Sequence, residues 1–271
     1  MRKLLVTLVT ALTASLLAAP ALGAPAGGGG YEEDGVLTVG TNLPAPGFWN
    51  GDDPDSIDGG FEYGIAQELA ERLNREDGVK VVNVSFDALV AGQAKGFDLA
   101  FSQVTITKDR KKVVDFSTSY FNSDQGILVR QGTEVPDAEA AKELQWGVQT
   151  ATTAQTFLED EVKPDKEPRS YQETTQAFAA LQAGQVDAVL LDTTIVLAQS
   201  SQSGSEFTVV GQFAAGEKYG AVLPKDTKLL KKVNKQLKAM KADGTVDALA
   251  EQYLAPEFGK DPADVPYIEV R

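Results

Sequence analysis

A pattern of helix, glycine stop and Asp-led apolar strand occurs twice in this chain, and it restricts the fold more than any other feature. The first copy reads Phe86-Asp87-Ala88-Leu89, then Ala91-Gly92, then Phe97-Asp98 and an apolar strand ending at Ser102. The second reads Ala177-Phe178, Leu181, Ala183-Gly184, then Val186-Asp187 and a strand ending Leu190-Leu191-Asp192. Apolar runs this short have the length of buried parallel strands, and the glycine after each helix is its stop. Two such units predict two α/β lobes, each turning its strand ends toward one shared cleft.

The first copy continues into FDLAFSQVTITKDR, residues 97–110. The polar stretch Ser102, Gln103, Val104, Thr105 sits at the carboxyl end of the strand. Thr107 has the position of a helix N-cap, and 108–114 is the helix it opens. Free N–H groups at a helix start favour an anion, and Arg110 in the first turn adds a planar fork that fits a carboxylate. On these residues alone, a capped helix with a solvated Arg fits equally well. The same two readings apply to 150–154, a small polar loop that opens a helix after the strand 146–149.

Around these units the pattern is plain. A strand at 36–41 runs into a loop, 42–49, whose prolines stop regular structure. Phe61, Ile65, Leu69 and Leu73 recur every four residues, the stripe of an amphipathic helix. A strand follows at 79–84, and a short helix at 138–144. Polar breaks fall at 120–125 and 213–218. Two helices close the fold, one lined by Leu229, Val233, Leu237 and Met240, the next by Val246, Leu249 and Tyr253, and the tail from Pro256 reads as irregular surface.

What the chain lacks narrows its chemistry. None of its 271 residues is His or Cys. Ser-His-Asp triads, thiol nucleophiles, disulfides and imidazole or thiolate metal sites are thereby excluded, and no cofactor is expected. The formal net charge is −14, which argues against nucleic acid or an anionic membrane as partner. Residues 1–23 read as a secretory signal peptide, with Arg2 and Lys3, an apolar stretch and small residues before cleavage. Residues 24–35 read as a flexible linker. The mature chain is expected to be extracytoplasmic, without a lipid anchor, since no Cys follows the signal.

At this point the sequence resembles a known family, the extracytoplasmic solute-binding proteins for polar amino acids that serve ABC importers (family 3). The likeness rests on DLAFSQVTITKDRKKVVDFS at 98–117, VDAVLLDT at 186–193 and MKADGTVDALAEQYL at 240–254. It implies two Rossmann-like α/β lobes joined by two hinge strands, a Venus-flytrap that closes on its ligand. Lobe I would be 36–119 and 221–271, lobe II 125–215, with hinges at 120–124 and 216–220.

The resemblance also implies a set of site residues. Arg110 stands where the family clamps the α-carboxylate, helped by Thr105 and, from the second lobe, Thr153. Asp192 stands where a carboxylate receives the α-ammonium; it is also an N-cap for the helix that follows. Ser102 and Gln103 stand where small residues lend oxygens to the ammonium, and Gln103 narrows that part of the pocket. Phe86 stands over the ligand side chain, with Phe48 or Trp49 replacing an aromatic absent at Ala45. Asn42 and Gln149 stand at the side-chain end and are uncharged. The implied ligand is therefore a neutral free amino acid, bound by a monomer that delivers it to a membrane permease. If the loop at 42–49 is aligned differently, Asp52 or Asp53 points into the cleft instead. Two rivals remain. One is a cyclohexadienyl dehydratase on the same fold, for which Glu62 or Glu173 is the nearest acid, although both read as solvated helix carboxylates. The other is a sensing module for a membrane receptor.

Overall fold

The computed structural model describes residues 31–270; the expected signal peptide and the linker up to residue 30 lie outside them. Lobe I is built on β1 (Leu37–Thr41), α1 (Phe61–Arg72), β2 (Val79–Asn83), α2 (Phe86–Val90), β3 (Leu99–Ala100), α3 (Arg110–Val113) and β4 (Asp115–Phe116). The chain then enters lobe II with β5 (Phe121–Arg130), α4 (Ala138–Glu143), β6 (Trp146–Gln149), α5 (Thr153–Phe157), β7 (Arg169–Tyr171), α6 (Thr174–Gln182), β8 (Ala188–Asp192), α7 (Thr193–Gln202) and β9 (Phe207–Tyr219). It returns to lobe I with β10 (Val222–Leu223), α8 (Leu229–Ala242) and α9 (Thr245–Phe258).

Each lobe has a five-stranded sheet, ordered β2-β1-β3-β10-β4 and β7-β6-β8-β5-β9. In both, three parallel strands are followed by an antiparallel one that arrives from, or belongs to, the connection between lobes. The doubled sequence pattern is thus a doubled topology. The leading Asp does the same work in each copy. Asp98 accepts the backbone N–H of Thr38 at 2.8 Å beside β1, and Asp187 accepts that of Gln145 at 2.9 Å just ahead of β6. Both carboxylates satisfy donors at the entry of the neighbouring strand, where no ladder partner exists.

The connection differs from the expected breaks. β5 and β9 are continuous, antiparallel and paired from Phe121↔Tyr219 to Arg130↔Phe207, with irregular register at Ser123/Gln125. Their polar side chains do not interrupt them, because each strand satisfies the other's backbone. Two other boundaries shift. The chain is ordered against lobe I from Tyr31, which is buried beneath the Arg75 guanidinium, so the linker does not reach residue 35. The tail leaves lobe I and packs on lobe II. Gln212 N–H donates to Pro266 O, Ile268 N–H donates to Gln212 O, and Tyr267 OH donates to Asp124 at 2.7 Å. It is a third crossing between lobes, recruited by the backbone of β9.

Gly126 of β5 sits where α7 presses on the sheet. A Cβ there lies 2.5 Å from Val196 Cγ2 and 2.8 Å from the Thr193 Cα. Gly126→Ala is expected to cost ~1–3 kcal/mol by overpacking, read as a lower urea midpoint with unchanged slope. An unchanged midpoint would mean that α7 lifts off the sheet freely.

Candidate functional site

Four strand ends meet at one cleft, where β1 leads to Asn42, β3 to Ser102, β6 ends at Gln149 and β8 ends at Asp192. Between them is a cavity of about 170 Å³. Lobe I lines it with Asn42, Phe48, Phe86, Ser102, Gln103, Thr105 and Arg110; lobe II lines it with Gln149, Thr153, Leu191 and Asp192.

Thr107 Oγ1 accepts the Arg110 N–H at 3.1 Å across the turn that leads into α3; the helix is shorter than expected, and its N-cap position is Asp109 rather than Thr107, without a side-chain cap bond. The Arg110 guanidinium is buried. It donates to Thr105 O at 2.8 Å and, across the cleft, to Ala151 O at 2.9 Å, and it lies 5.4 Å from the centre of the Phe86 ring. None of the ion pairs among the described residues includes it. An Arg always carries its charge and has five donors; here two serve main-chain carbonyls.

Asp192 stands at the N-cap position of α7 but makes no side-chain cap bond. Its carboxylate accepts instead from Gln125 Nε2 at 3.1 Å and from the Tyr219 hydroxyl, one on each paired strand between the lobes. Burial pushes this carboxyl up to about 8, and the charge of Glu217 adds to the rise; Tyr219, Gln125 and Arg110 pull the other way. Burial also pushes the Tyr219 hydroxyl well up, so it remains a donor. Glu217 is itself buried and accepts from Thr105 Oγ1 at 2.6 Å. Reading 120–125 and 213–218 as breaks hides Gln125 and Glu217, and with them Tyr219, the residue that ends β9. The signal in the sequence is alternation: Ser123 and Gln125 are buried on β5 with Asp124 half-buried between them, and Glu217 and Tyr219 are buried on β9 with Lys218 exposed between.

The lobes also touch at the far end. Gln149 Nε2 donates to Asn42 Oδ1 at 3.2 Å, and Asn42 Nδ2 donates to Glu173 at 3.1 Å. Phe48 forms edge contacts with Phe61, Phe121 and Tyr219 and walls the cavity. Trp49 does not line it. The indole is fully buried in lobe I and donates to Glu62 at 2.8 Å and to Phe101 O at 3.2 Å. A buried indole N–H needs an acceptor, and the acceptors are in the core rather than the cleft. Glu62 is therefore not the solvated carboxylate expected; it is wholly buried and pushed up to about 7 by desolvation. Glu173 caps α6 and is held by Asn42. Asp52 does reach the cavity, at its exposed mouth, and Asp53 does not line it. Beyond Asp192 one face of α7, Ile195, Ala198, Gln199 and Gln202, continues the wall for ~10 Å at 1.5 Å per residue.

Fold and cleft together define a class, a two-lobed α/β protein that holds a small solute between its lobes. The profile of the bacterial extracellular solute-binding proteins, family 3, matches residues 37–256, and the chain belongs to that family. It is a binding protein, not an enzyme. It is 32% identical over 234 residues to the L-cystine-binding protein TcyJ of Escherichia coli (strain K12), covering 84% of this chain and 86% of that one. It is 29% identical over 212 residues to the ABC transporter glutamine-binding protein GlnH of Bacillus subtilis (strain 168), covering 76% and 74%. The structure of an ancestral arginine-binding protein bound to glutamine superposes with a TM-score of 0.74 at 33% identity, covering 82% of this chain and 98% of that one.

The raised carboxyls have a consequence for stability. Between about pH 4 and 8 the native state keeps protons on Glu62 and Asp192 that the unfolded chain releases, so stability falls as pH rises and levels off above about 8. The Tm of the ligand-free protein should fall from pH 5 to 8, and Asp192→Asn should flatten the upper part of that fall. An unchanged slope in the variant would contradict the assignment.

Proposed function

We propose that this solute-binding protein captures one free amino acid of zero net charge and delivers it, as a monomer, to an ABC importer in the membrane. One observation carries the reading: a buried guanidinium on lobe I and a buried carboxyl group on lobe II face the same cavity, each without an ion pair. That arrangement fits a zwitterion, with the α-carboxylate on Arg110, Thr105 and Thr153 and the α-ammonium on Asp192 and Ser102. A charge leaves water only if it is paired and hydrogen-bonded. Of the lining residues only Arg110 is a cation, and it is used by the α-carboxylate, so an acidic side chain finds no partner. A basic one finds only Asp52, at the exposed mouth, since Glu173 already accepts from Asn42 and caps α6.

The length of the α7 wall supports a long neutral ligand over a short one. A double-headed amino acid such as L-cystine, the ligand named for the Escherichia coli relative, would set one zwitterion at Arg110 and Asp192. Its other end, a second zwitterion, would lie at the exposed mouth, where its ammonium faces Asp52 and its carboxylate keeps water and the amides of Gln199 and Gln202 as partners. L-Glutamine is the shorter alternative.

A thermal-shift and calorimetric screen of the common amino acids and L-cystine tests this directly. Neutral ligands should bind at least about a hundredfold better than Asp, Glu, Lys or Arg. If a charged amino acid binds tightest, the loop that carries Asn42 and Asp52 has been assigned wrongly. Arg110→Ala should weaken the best ligand by over about a hundredfold, since removing one partner of a buried charge pair costs ~3–5 kcal/mol. Intact folding with unchanged affinity would refute the carboxylate clamp. Export is part of the same reading: mass spectrometry of the secreted protein should give an N-terminus near Ala24, and a retained Met1 would refute it.

A further inference from the structure

Glu62 is a buried acid that the cleft itself does not use. It lies in the first turn of α1 with no exposed surface. Four donors converge on its two oxygens. Oε2 accepts from the Trp49 indole at 2.8 Å and from the Gln103 side-chain amide; Oε1 accepts from the Gln103 backbone N–H at 2.9 Å and from the Tyr120 hydroxyl. These donors come from three segments. Trp49 follows the cavity wall residue Phe48, Gln103 lies between Ser102 and Thr105, and Tyr120 immediately precedes the connecting strand β5.

Gln103 is the unusual member. Its φ is +50°, a left-handed conformation that a side chain with a Cβ adopts only when its surroundings hold it there. Both of its nitrogen donors are held by Glu62, the backbone one and the side-chain one. The turn at Gln103 sets the direction in which the chain leaves β3. Ser102 Oγ accepts from the Asn42 N–H at 3.0 Å, and Thr105 supplies the carbonyl that receives Arg110. Both neighbours of the turn are thereby tied to the cavity wall. A sequence with Gly at this position would take the same conformation unaided; this chain has Gln and an acid beneath it.

We infer that Glu62 is a positioning residue for ligand binding, acting through Gln103 to hold the turn after β3 so that Ser102 and Thr105 face the cleft. This rests on the reading of the cleft as an amino-acid site. Glu62 touches no ligand. Its effect on affinity is the effect of a turn that must already be in place when the lobes close, so that ordering it costs nothing at the moment of binding.

Glu62→Met keeps the length of the side chain and removes both acceptors. A double-mutant cycle with Gln103→Gly isolates the route, because glycine holds the turn without help. L-Cystine and L-glutamine are the probes, titrated by calorimetry. Glu62→Met should weaken binding about tenfold in the natural background and by less than about threefold beside Gln103→Gly. An equal loss in both backgrounds would refute the route through Gln103. Hydrogen exchange needs no ligand and is read on the same proteins. Glu62→Met should lose protection at residues 102–106 well beyond any loss in β1. Uniform loss over lobe I would mean that Glu62 only stabilises the core, and unchanged protection at 102–106 would also overturn the inference. If neither amino acid binds any variant or the natural protein, the amino-acid reading fails, and the exchange pattern still decides whether Glu62 holds the turn.

Discussion

A guanidinium and a carboxylate, buried on opposite walls of one cleft and each without a counter-ion at bonding distance, are the constraint around which the molecule is arranged. Neither charge is favoured in that state, and without a ligand Asp192 keeps its proton up to about pH 8. Desolvation disfavours the charged form of both groups, and removing two charges from water is repaid only by close partners with good geometry. The proposed zwitterion would supply both partners together, one to each lobe. The doubled fold is the device that brings this about, because each copy turns its strand ends to the same cleft and each contributes one of the two charges.

The strands between the lobes are more than a connection. Gln125 and Tyr219 hold Asp192, and Glu217 holds Thr105, which in turn receives Arg110. Both charged walls are therefore anchored to the pair β5 and β9, about which the lobes would rotate. The tail lies along β9 beside this pair, so three passes of chain link the lobes. A change in lobe orientation is expected to be felt first at these residues, before the outer layers of either lobe.

Much of this was legible in the residues. The doubled helix–Gly–Asp–strand pattern predicted two lobes, and Asp98 and Asp187 owe their place to the same local need for an acceptor at a strand entry. Helix α1 followed from its four-residue stripe. Of the two loop aromatics expected at the wall, Phe48 lines the cavity and Trp49 does not; an aromatic in a loop fits a core lid and a ligand wall equally well by sequence, and here the indole N–H decides, by its need for a buried acceptor. Glu62 was misjudged for the complementary reason. An acid in a first helical turn normally faces water, and only the three-dimensional arrangement brings four donors to it. Polar residues at 120–125 and 213–218 look like interruptions in sequence, whereas two strands that pair with each other need no apolar side chains to satisfy their backbones.

The central claim is that one ligand draws the lobes together through Arg110 and Asp192. The sequence contains no Cys, so spin labels placed by Lys111→Cys on lobe I and Asp160→Cys on lobe II report a single distance by pulsed electron resonance. With saturating L-cystine or L-glutamine, whichever binds tighter, the natural cleft residues should give a shorter and narrower distance distribution than the ligand-free protein. With Asp192→Asn at equal occupancy the distribution should stay close to the ligand-free one. Equal closure in that variant, or no change on ligand binding in the labelled parent, would contradict the account.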